Sequence, residues 1–277
     1  MVAPSRGDRP GAWLPAPEEA TAEELERCPF DAGREDRTPP ETLRIGEPWQ
    51  VRVVPNLYPA FERQEVVIHA PDHVRSFADL PEAQLEPIAE AWQRRIEAAL
   101  DEGFAYVHAL VNEGRLAGAS LPHSHSQLVW LREAPPLVTR EDPHGLERLV
   151  ARDDLRVLSR GGATALVHAG GAVPYESLVA GGTLAERLAA LRELVARLRA
   201  LEGPFAWNAW LHAREPKHLH FVPRLTALAG IELGAELYVN VVAPETAAER
   251  LRSPRPEGPR RPAARGTGAP PRSPRRG

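Results

Sequence analysis

Two pairs of histidines, His123-Ser-His125 and His218-Leu-His220, place imidazoles two residues apart. In extended chain such side chains point the same way and can share one metal or one substrate. If the intervening bonds turn, the rings diverge, and one can ligate metal while the other faces substrate. Spacing alone leaves both arrangements open. A single His-x-His also suits a polar pair at a strand end; two of them in one chain weigh toward chemistry. His108, His144 and His168 stand alone and read as structural or exposed. Cys28-Pro-Phe-Asp31 sets a thiol and a carboxylate three apart, the separation at which paired cysteines hold zinc, with Asp able to act as an oxygen ligand. Taken alone, that pair is equally a buried thiol beside a surface acid.

These residues need elements to position them. Leu85, Ile88, Ala89, Trp92, Ile96 and Ala99 recur at helical spacing, and Gly103 supplies a stop. A strand is expected over 104–111, then a Gly-rich turn, then Leu121 to Trp130, with a second strand from about Gln127. The order returns about a hundred residues later. Leu184, Leu188, Leu191, Val195 and Leu198 mark a helix, a strand follows over 205–211, and His218-Leu-His220 enters the apolar pair Phe221 and Val222. Helix, strand, His-x-His, strand thus occurs twice, which reads as an internal duplication. Ahead of it, 43–54 and 64–69 read as strands joined by a turn at Pro55, Asn56 and Pro59. Residues 1–40 read as extended chain and loops with a short amphipathic stretch near 18–27.

Composition bounds the class. The 277 residues are 43% hydrophobic, enough for a substantial core, and no run approaches the roughly 20 apolar residues of a membrane span. With no basic-then-apolar leader and Cys28 as the one cysteine, a cytoplasmic protein is expected. Residues 252–277 carry eight arginines against Glu257 alone, a net charge of +7, which leaves residues 1–251 at −11. The tail, with seven prolines and almost no large apolar residue, is predicted to be disordered. It could meet nucleic acid or acidic partners, but the acidic body argues against a nucleic-acid protein.

Taken together, the segments resemble the galactose-1-phosphate uridylyltransferase family of the histidine-triad superfamily over residues 3–251. The carriers begin with Ala3-Pro-Ser-Arg6-Gly-Asp-Arg9-Pro10 and the stretch from Cys28 to Glu41, then Val53-Val-Pro-Asn56-Leu-Tyr-Pro-Ala60 and Pro71-Asp-His73. The central motif runs from Asn112 through Pro122-His123-Ser-His125-Ser-Gln127. His212, His218-Leu-His220-Phe and the segment from Gly230 to Asn240 with its Pro244-Glu sequel complete the match.

The resemblance implies an α+β fold of two histidine-triad-like halves, antiparallel sheets with helices packed on them: 1–140 with the catalytic motif, 141–251, and the tail from 252. It implies hexose-1-phosphate nucleotidylyl transfer by double displacement, in a homodimer. His125 resembles the nucleophile that attacks the α-phosphorus of a nucleotide sugar, and Gln127, where hydrolases carry a third His, resembles an oxyanion donor. His123, His73, Cys28 and Asp31 resemble a zinc set, Asp31 standing where the family usually has a second Cys. His212, His218 and His220 resemble a second site, for iron or zinc, joined by Glu141, with Glu133 as rival. Asn56, Asn112, Gly118 and Ser120 resemble nucleotide and phosphate contacts, Arg6 and Arg9 a pair near the nucleotide, and Glu232 a sugar-hydroxyl acceptor. Arg6 and Arg9 lie so near Met1 that the family's preceding strand has no counterpart, which points to a start further upstream. Two departures touch substrate choice. Leu225 to Ala229 contains no basic residue where the family has a hexose-phosphate lysine, and Ser126 resembles the ADP-glucose phosphorylase branch. UDP-glucose is the first expectation for the donor. An ADP-sugar phosphorylase passing AMP to phosphate, and a catalytically silent metal-stabilised nucleotide-binding module, are the alternatives.

Overall fold

In the computed structural model, which describes residues 1–8, 12–17 and 21–254, ten antiparallel strands form one sheet. The first five are β1 (Leu43–Ile45), β2 (Val51–Pro55), β3 (Arg63–Ile68), β4 (Tyr106–Glu113) and β5 (His125–Leu131). The second five are β6 (Arg156–Arg160), β7 (Ala163–Val167), β8 (Ser177–Gly181), β9 (Trp207–His212) and β10 (His218–Pro223). Their order across the sheet is β1-β2-β3-β5-β4-β9-β10-β8-β7-β6. Each set of five therefore repeats one topology, and the pairing of β4 with β9 makes the two sheets continuous. The predicted duplication emerges as one surface rather than two separate layers.

Helices α1 (Ala22–Arg27), α2 (Leu85–Asp101), α3 (Pro136–Arg140), α4 (Pro143–Val150), α5 (Leu184–Glu202), α6 (Gly230–Ala235) and α7 (Pro244–Arg252) decorate it. The equivalent α2 and α5 matter most. Leu85, Ile88, Ala89 and Trp92 of α2 and Leu184, Leu188, Leu191, Val195 and Leu198 of α5 join the main core, each large side chain contributing about 1.5–3 kcal/mol by burial. Thr183 and Glu186 cap α5 reciprocally through side chain and backbone. Against these helices lie alternate strand residues: Val67, Ala109, Val111, Leu128, Trp130, Ala209, Leu211, Leu219 and Phe221. Because strand side chains alternate, Gln64, Asn112, His125, Gln127, Asn208, Trp210, His212, His218 and His220 occupy the opposite face. The period of two thus separates core from chemistry.

Some boundaries differ from expectation. The stretch 43–54 is a hairpin rather than one strand, because Gly46 with φ +86° turns the chain between β1 and β2. Strand β5 begins at His125, two residues earlier than predicted, which leaves His123 in the preceding loop. Strands β6 to β8 were not anticipated; the Gly161-Gly162 turn that joins β6 to β7 was their one local signal. The Arg-rich tail beyond residue 254, like Arg9, lies outside the described residues. Among the described residues no helix is long and apolar enough to cross a membrane.

Candidate active site and metal centres

His125 is buried at the start of β5, edge-on to Phe30 with ring centroids 5.5 Å apart. Its Nδ1–H donates to the His123 carbonyl at 2.7 Å. A carbonyl can only accept, so the proton is fixed on Nδ1 and Nε2 keeps its lone pair. Burial holds this imidazole below its ordinary range, which keeps it neutral and nucleophilic near pH 7. His125, Arg75, Asn112, Gly114 and Pro122 line a small recess. Through Arg75, Gly114, Leu121 and Pro122 the recess adjoins a cleft of about 560 Å³, within the usual size range for small-molecule sites.

Three of the amides singled out in the sequence, Asn56, Asn112 and Gln127, share one polarity. The backbone N–H of Tyr58 donates to Asn56 Oδ1 at 2.9 Å, Asn208 Nδ2 donates to Asn112 Oδ1 at 2.7 Å, and Gln64 Nε2 donates to Gln127 Oε1 at 2.6 Å. In each the oxygen accepts from a donor, which turns the NH2 end away from that partner. Gly118 (φ +92°) and Ser120 lie in the turn that follows Gly114, with Ser120 on the cleft wall. A Cβ on Gly118 would lie 3.9 Å from Asn112 Nδ2, so the amino end of Asn112 faces this turn. Arg6 is exposed in the segment Pro4–Asp8, which runs beside residues 240–241; Glu232 accepts from the Ala229 N–H at the start of α6. Neither lines the recess at His125 within this chain.

The two His-x-His motifs part company here. His218 and His220 both lie within β10 and their rings meet, Nε2 to Nε2, at 2.9 Å. His123 precedes β5, and its ring turns away from that of His125 to join Cys28, Asp31 and His73. The donor atoms of that group lie within 4.8 Å of one another, as do those of Glu141, His212, His218 and His220. Glu133 is exposed and outside the second group.

Both groups have the donor chemistry for a cation. His123 Nε2–H donates to the Ala70 carbonyl at 3.0 Å, so its Nδ1 lone pair faces Asp31 Oδ1 at 3.0 Å and Cys28 Sγ at 3.6 Å. His218 Nδ1–H donates to the Pro216 carbonyl at 2.8 Å, so its Nε2 lone pair faces Glu141 Oε1 at 3.0 Å. Lone pairs aimed at carboxylate oxygens repel unless a positive charge lies between them. Glu24 Oε1 lies 3.2 Å from His73 Nε2, and Trp210 stacks on His220 at 5.1 Å; Trp210 Nε1–H donates to His212 Nε2, so the neutral His212 carries its proton on Nδ1, toward Glu141 Oε2 at 2.9 Å. From Gln127 across Leu110 and Trp210 to His220 is three strand spacings, about 14 Å, so the second group stands apart from the reacting centre.

Known proteins share parts of this sequence and its fold. Residues 58–136 match the family model of the galactose-1-phosphate uridyl transferase N-terminal domain. In sequence the chain is similar to galactose-1-phosphate uridylyltransferases and to an ADP-glucose phosphorylase. It is 30% identical over 165 residues to the ADP-glucose phosphorylase of Arabidopsis thaliana, covering 50% of this chain and 47% of that protein. It is 27% identical over 233 residues to the galactose-1-phosphate uridylyltransferase of Haemophilus influenzae, covering 68% of this chain and 66% of that one. The matches therefore span about half to two thirds of these relatives' own length. In fold, the solved ADP-glucose phosphorylase of Arabidopsis thaliana with bound ADP-glucose superposes with a TM-score of 0.76 at 22% identity, over 91% of this chain and 94% of that one. A solved uridylyltransferase superposes with a TM-score of 0.71 at 24% identity, over 86% and 93%. The α+β architecture with its large antiparallel sheet is thus shared with these relatives.

Sequence reasoning passed over Gln64, Asn208, Arg75 and His69. His69, fully buried, stands within hydrogen-bond distance of the Ser124 and Ser126 hydroxyls on either side of His125. Trp92 Nε1–H also donates to Ser126 Oγ, at 2.8 Å. Ser126 therefore faces α2 and the core, and its hydroxyl does not reach the cleft.

Proposed function

We propose that the chain transfers a nucleotidyl group from a nucleotide sugar to a phosphate-bearing acceptor through a nucleotidyl-His125 intermediate. The observation that carries this reading is the fixed tautomer of His125: Nδ1–H is held by the His123 carbonyl and Nε2 is left with its lone pair. Nε2 attacks the α-phosphorus, the P–N bond forms, and the bond to the sugar-phosphate oxygen breaks to release hexose 1-phosphate. A phosphate oxygen of the acceptor then attacks phosphorus and the P–N bond breaks, restoring His125. Nε2 carries no proton to remove, and the positive charge that develops on the imidazole in the first step is met by the His123 carbonyl oxygen. The amino ends of Asn112 and Gln127 donate to phosphate oxygens, which accept only, and Arg75 adds positive charge to the wall of the recess. Zinc held by Cys28, Asp31, His73 and His123 would supply structural charge balance that fixes the loop preceding β5, and iron or zinc at Glu141, His212, His218 and His220 would do the same for β9 and β10.

Uridylyl transfer from UDP-glucose is the first form of the reaction, and adenylyl transfer from ADP-glucose the second. The similarity to ADP-glucose phosphorylase and the absence of a basic residue from Leu225 to Ala229 favour the second. Ser126 bears on neither, being turned into the core. A homodimer belongs to the proposal, supported by exposed Leu57, Tyr58 and Phe61 on the loop after β2 and by Leu233 of α6 with Leu237 and Tyr238 just after it.

The test is the mass of the intact chain after mixing with UDP-glucose, ADP-glucose or neither, at neutral to basic pH to protect the phosphoramidate. A uridylyl or adenylyl adduct that is absent in His125→Asn supports the reading and names the base. Absence of both adducts from folded, metal-loaded chain refutes these donors and leaves another nucleotide donor or the silent module.

A further inference from the structure

We propose that Gln64 and Asn208 are positioning residues that set which end of the Gln127 and Asn112 amides faces the ligand. This rests on the function proposed above. An amide side chain is nearly symmetric in shape, so packing alone does not choose between its oxygen and its nitrogen; only its hydrogen-bond partners do. In both pairs the choice is anchored on a backbone group whose role is fixed.

The backbone N–H of Ala60 donates to the Gln64 side chain at 2.9 Å, so the contacted atom is the oxygen and the other end of Gln64 is the amino group. That amino group lies 2.6 Å from Gln127, so the contacted Gln127 atom is in turn the oxygen, and the Gln127 amino group is directed away as a donor. The two glutamines are diagonal neighbours on one face, since Val66 pairs with Gln127 and Gln64 with Val129. In the second pair the Asn208 side chain contacts the Ala117 carbonyl at 2.8 Å, so the contacted atom is its amino nitrogen. The same nitrogen meets Asn112 at 2.7 Å, which makes that atom oxygen and leaves the Asn112 amino group as donor. Asn112 and Asn208 face each other across the β4 and β9 junction, so the second half of the chain fixes a phosphate donor of the first half. Neither Gln64 nor Asn208 lines the recess at His125. Each acts through its partner.

The consequence for a phosphate ligand is large, because phosphate oxygens accept and a reversed amide would present its own oxygen to them. Gln64→Glu tests this: a carboxylate cannot donate to Gln127 and obliges it to turn its amino group inward. Gln64→Lys removes the amide but keeps a donor toward Gln127 Oε1. We expect kcat of Gln64→Glu to fall about 100-fold, the size of losing one oxyanion donor, with a much smaller change in KM. Gln64→Lys should retain at least ten times the kcat of Gln64→Glu, at comparable melting temperature. Asn208→Asp should repeat the Gln64→Glu loss. Equal losses in Gln64→Glu and Gln64→Lys, or losses in KM alone, would overturn the assignment.

A second readout needs no turnover, so it separates this proposal from the reaction on which it rests. In wild-type chain with nitrogen-15 in its side-chain amides, the amino protons of Gln64 and Asn208 should exchange slowly. Those of Gln127 and Asn112 should exchange fast and shift on adding inorganic phosphate. Protection of Gln127 and Asn112 instead, or equal exchange in all four, refutes the orientation even in chain that proves active. The expected pattern in chain inactive on both sugar nucleotides sustains the orientation and removes only the reaction.

Discussion

The two metal groups should be separable by the pH dependence of zinc affinity, because one contains a thiol and the other does not. Burial pushes the Cys28 thiol up to about 11, so at pH 7 to 9 ligation at Cys28, Asp31, His73 and His123 must release its proton. One proton released makes the apparent affinity rise tenfold per pH unit, about 1.4 kcal/mol. Glu141, His212, His218 and His220 include no thiol, and burial holds His218 and His220 below the ordinary imidazole range. No proton is released there, and affinity should be flat from pH 7 to 9. Geometry permits both: tetrahedral bonds of about 2.0–2.3 Å require donor separations of about 3.3–3.8 Å. The Asp31 contacts of 2.9 and 3.0 Å need open by only a few tenths of an ångström. The assay is competition with a chromophoric chelator at pH 7, 8 and 9 under buffered free zinc. Wild type should show one sloped and one flat affinity. Cys28→Ser should abolish the slope and His220→Ala the flat component. Occupancy at 100 times the dissociation constant adds about 2.7 kcal/mol per site, which should raise the melting temperature by about 5–10 °C. Two flat affinities, or a slope that survives Cys28→Ser, would refute the assignment of the thiol as a ligand.

Other outcomes follow from single contacts. Gly114→Ala should cost about 1–3 kcal/mol in thermal unfolding and distort the turn carrying Gly118 and Ser120, since Gly114 has φ +85° and a Cβ there would lie 2.8 Å from that of Ala206. Thr183→Ala should cost about 1 kcal/mol through loss of the α5 cap and leave transfer unchanged, because α5 packs on the face of the sheet opposite to His125. With the His125 pKa held down by burial, the acid limb of kcat/KM should lie below pH 6.5, and a limb above pH 7 would contradict a neutral buried nucleophile.

What the sequence made legible followed from side-chain periodicity. The stripes of α2 and α5 are strong because each buries a long run of large apolar residues against the same core. Strands β6 to β8 escaped because each has only five residues and no clean alternation: Arg156–Arg160 buries two adjacent residues and Ser177–Gly181 four in a row. The site divided in the same way. The family resemblance supplied the members of both candidate metal groups, while Gln64 and Asn208 were silent, since a polar residue on a strand looks solvated until its cross-strand neighbour is known.

The identical spacing of the two His-x-His pairs shows where local sequence stops deciding. Register keeps His218 and His220 within β10, with His212 paired opposite His218, so both rings fall on one group. In the first half β5 begins only at His125, and the backbone N–H of Ser124 donates to the Val74 carbonyl rather than to a neighbouring strand. That single displacement turns the His123 ring toward Cys28 and Asp31 while His125 stays at the recess, its Nδ1 held by the carbonyl of His123 itself. A candidate metal ligand and the proposed nucleophile are thereby coupled through one short stretch of backbone. Loss of metal from the first group should therefore lower transfer as well as stability, whereas loss from the second, about 14 Å from Gln127, should lower stability first.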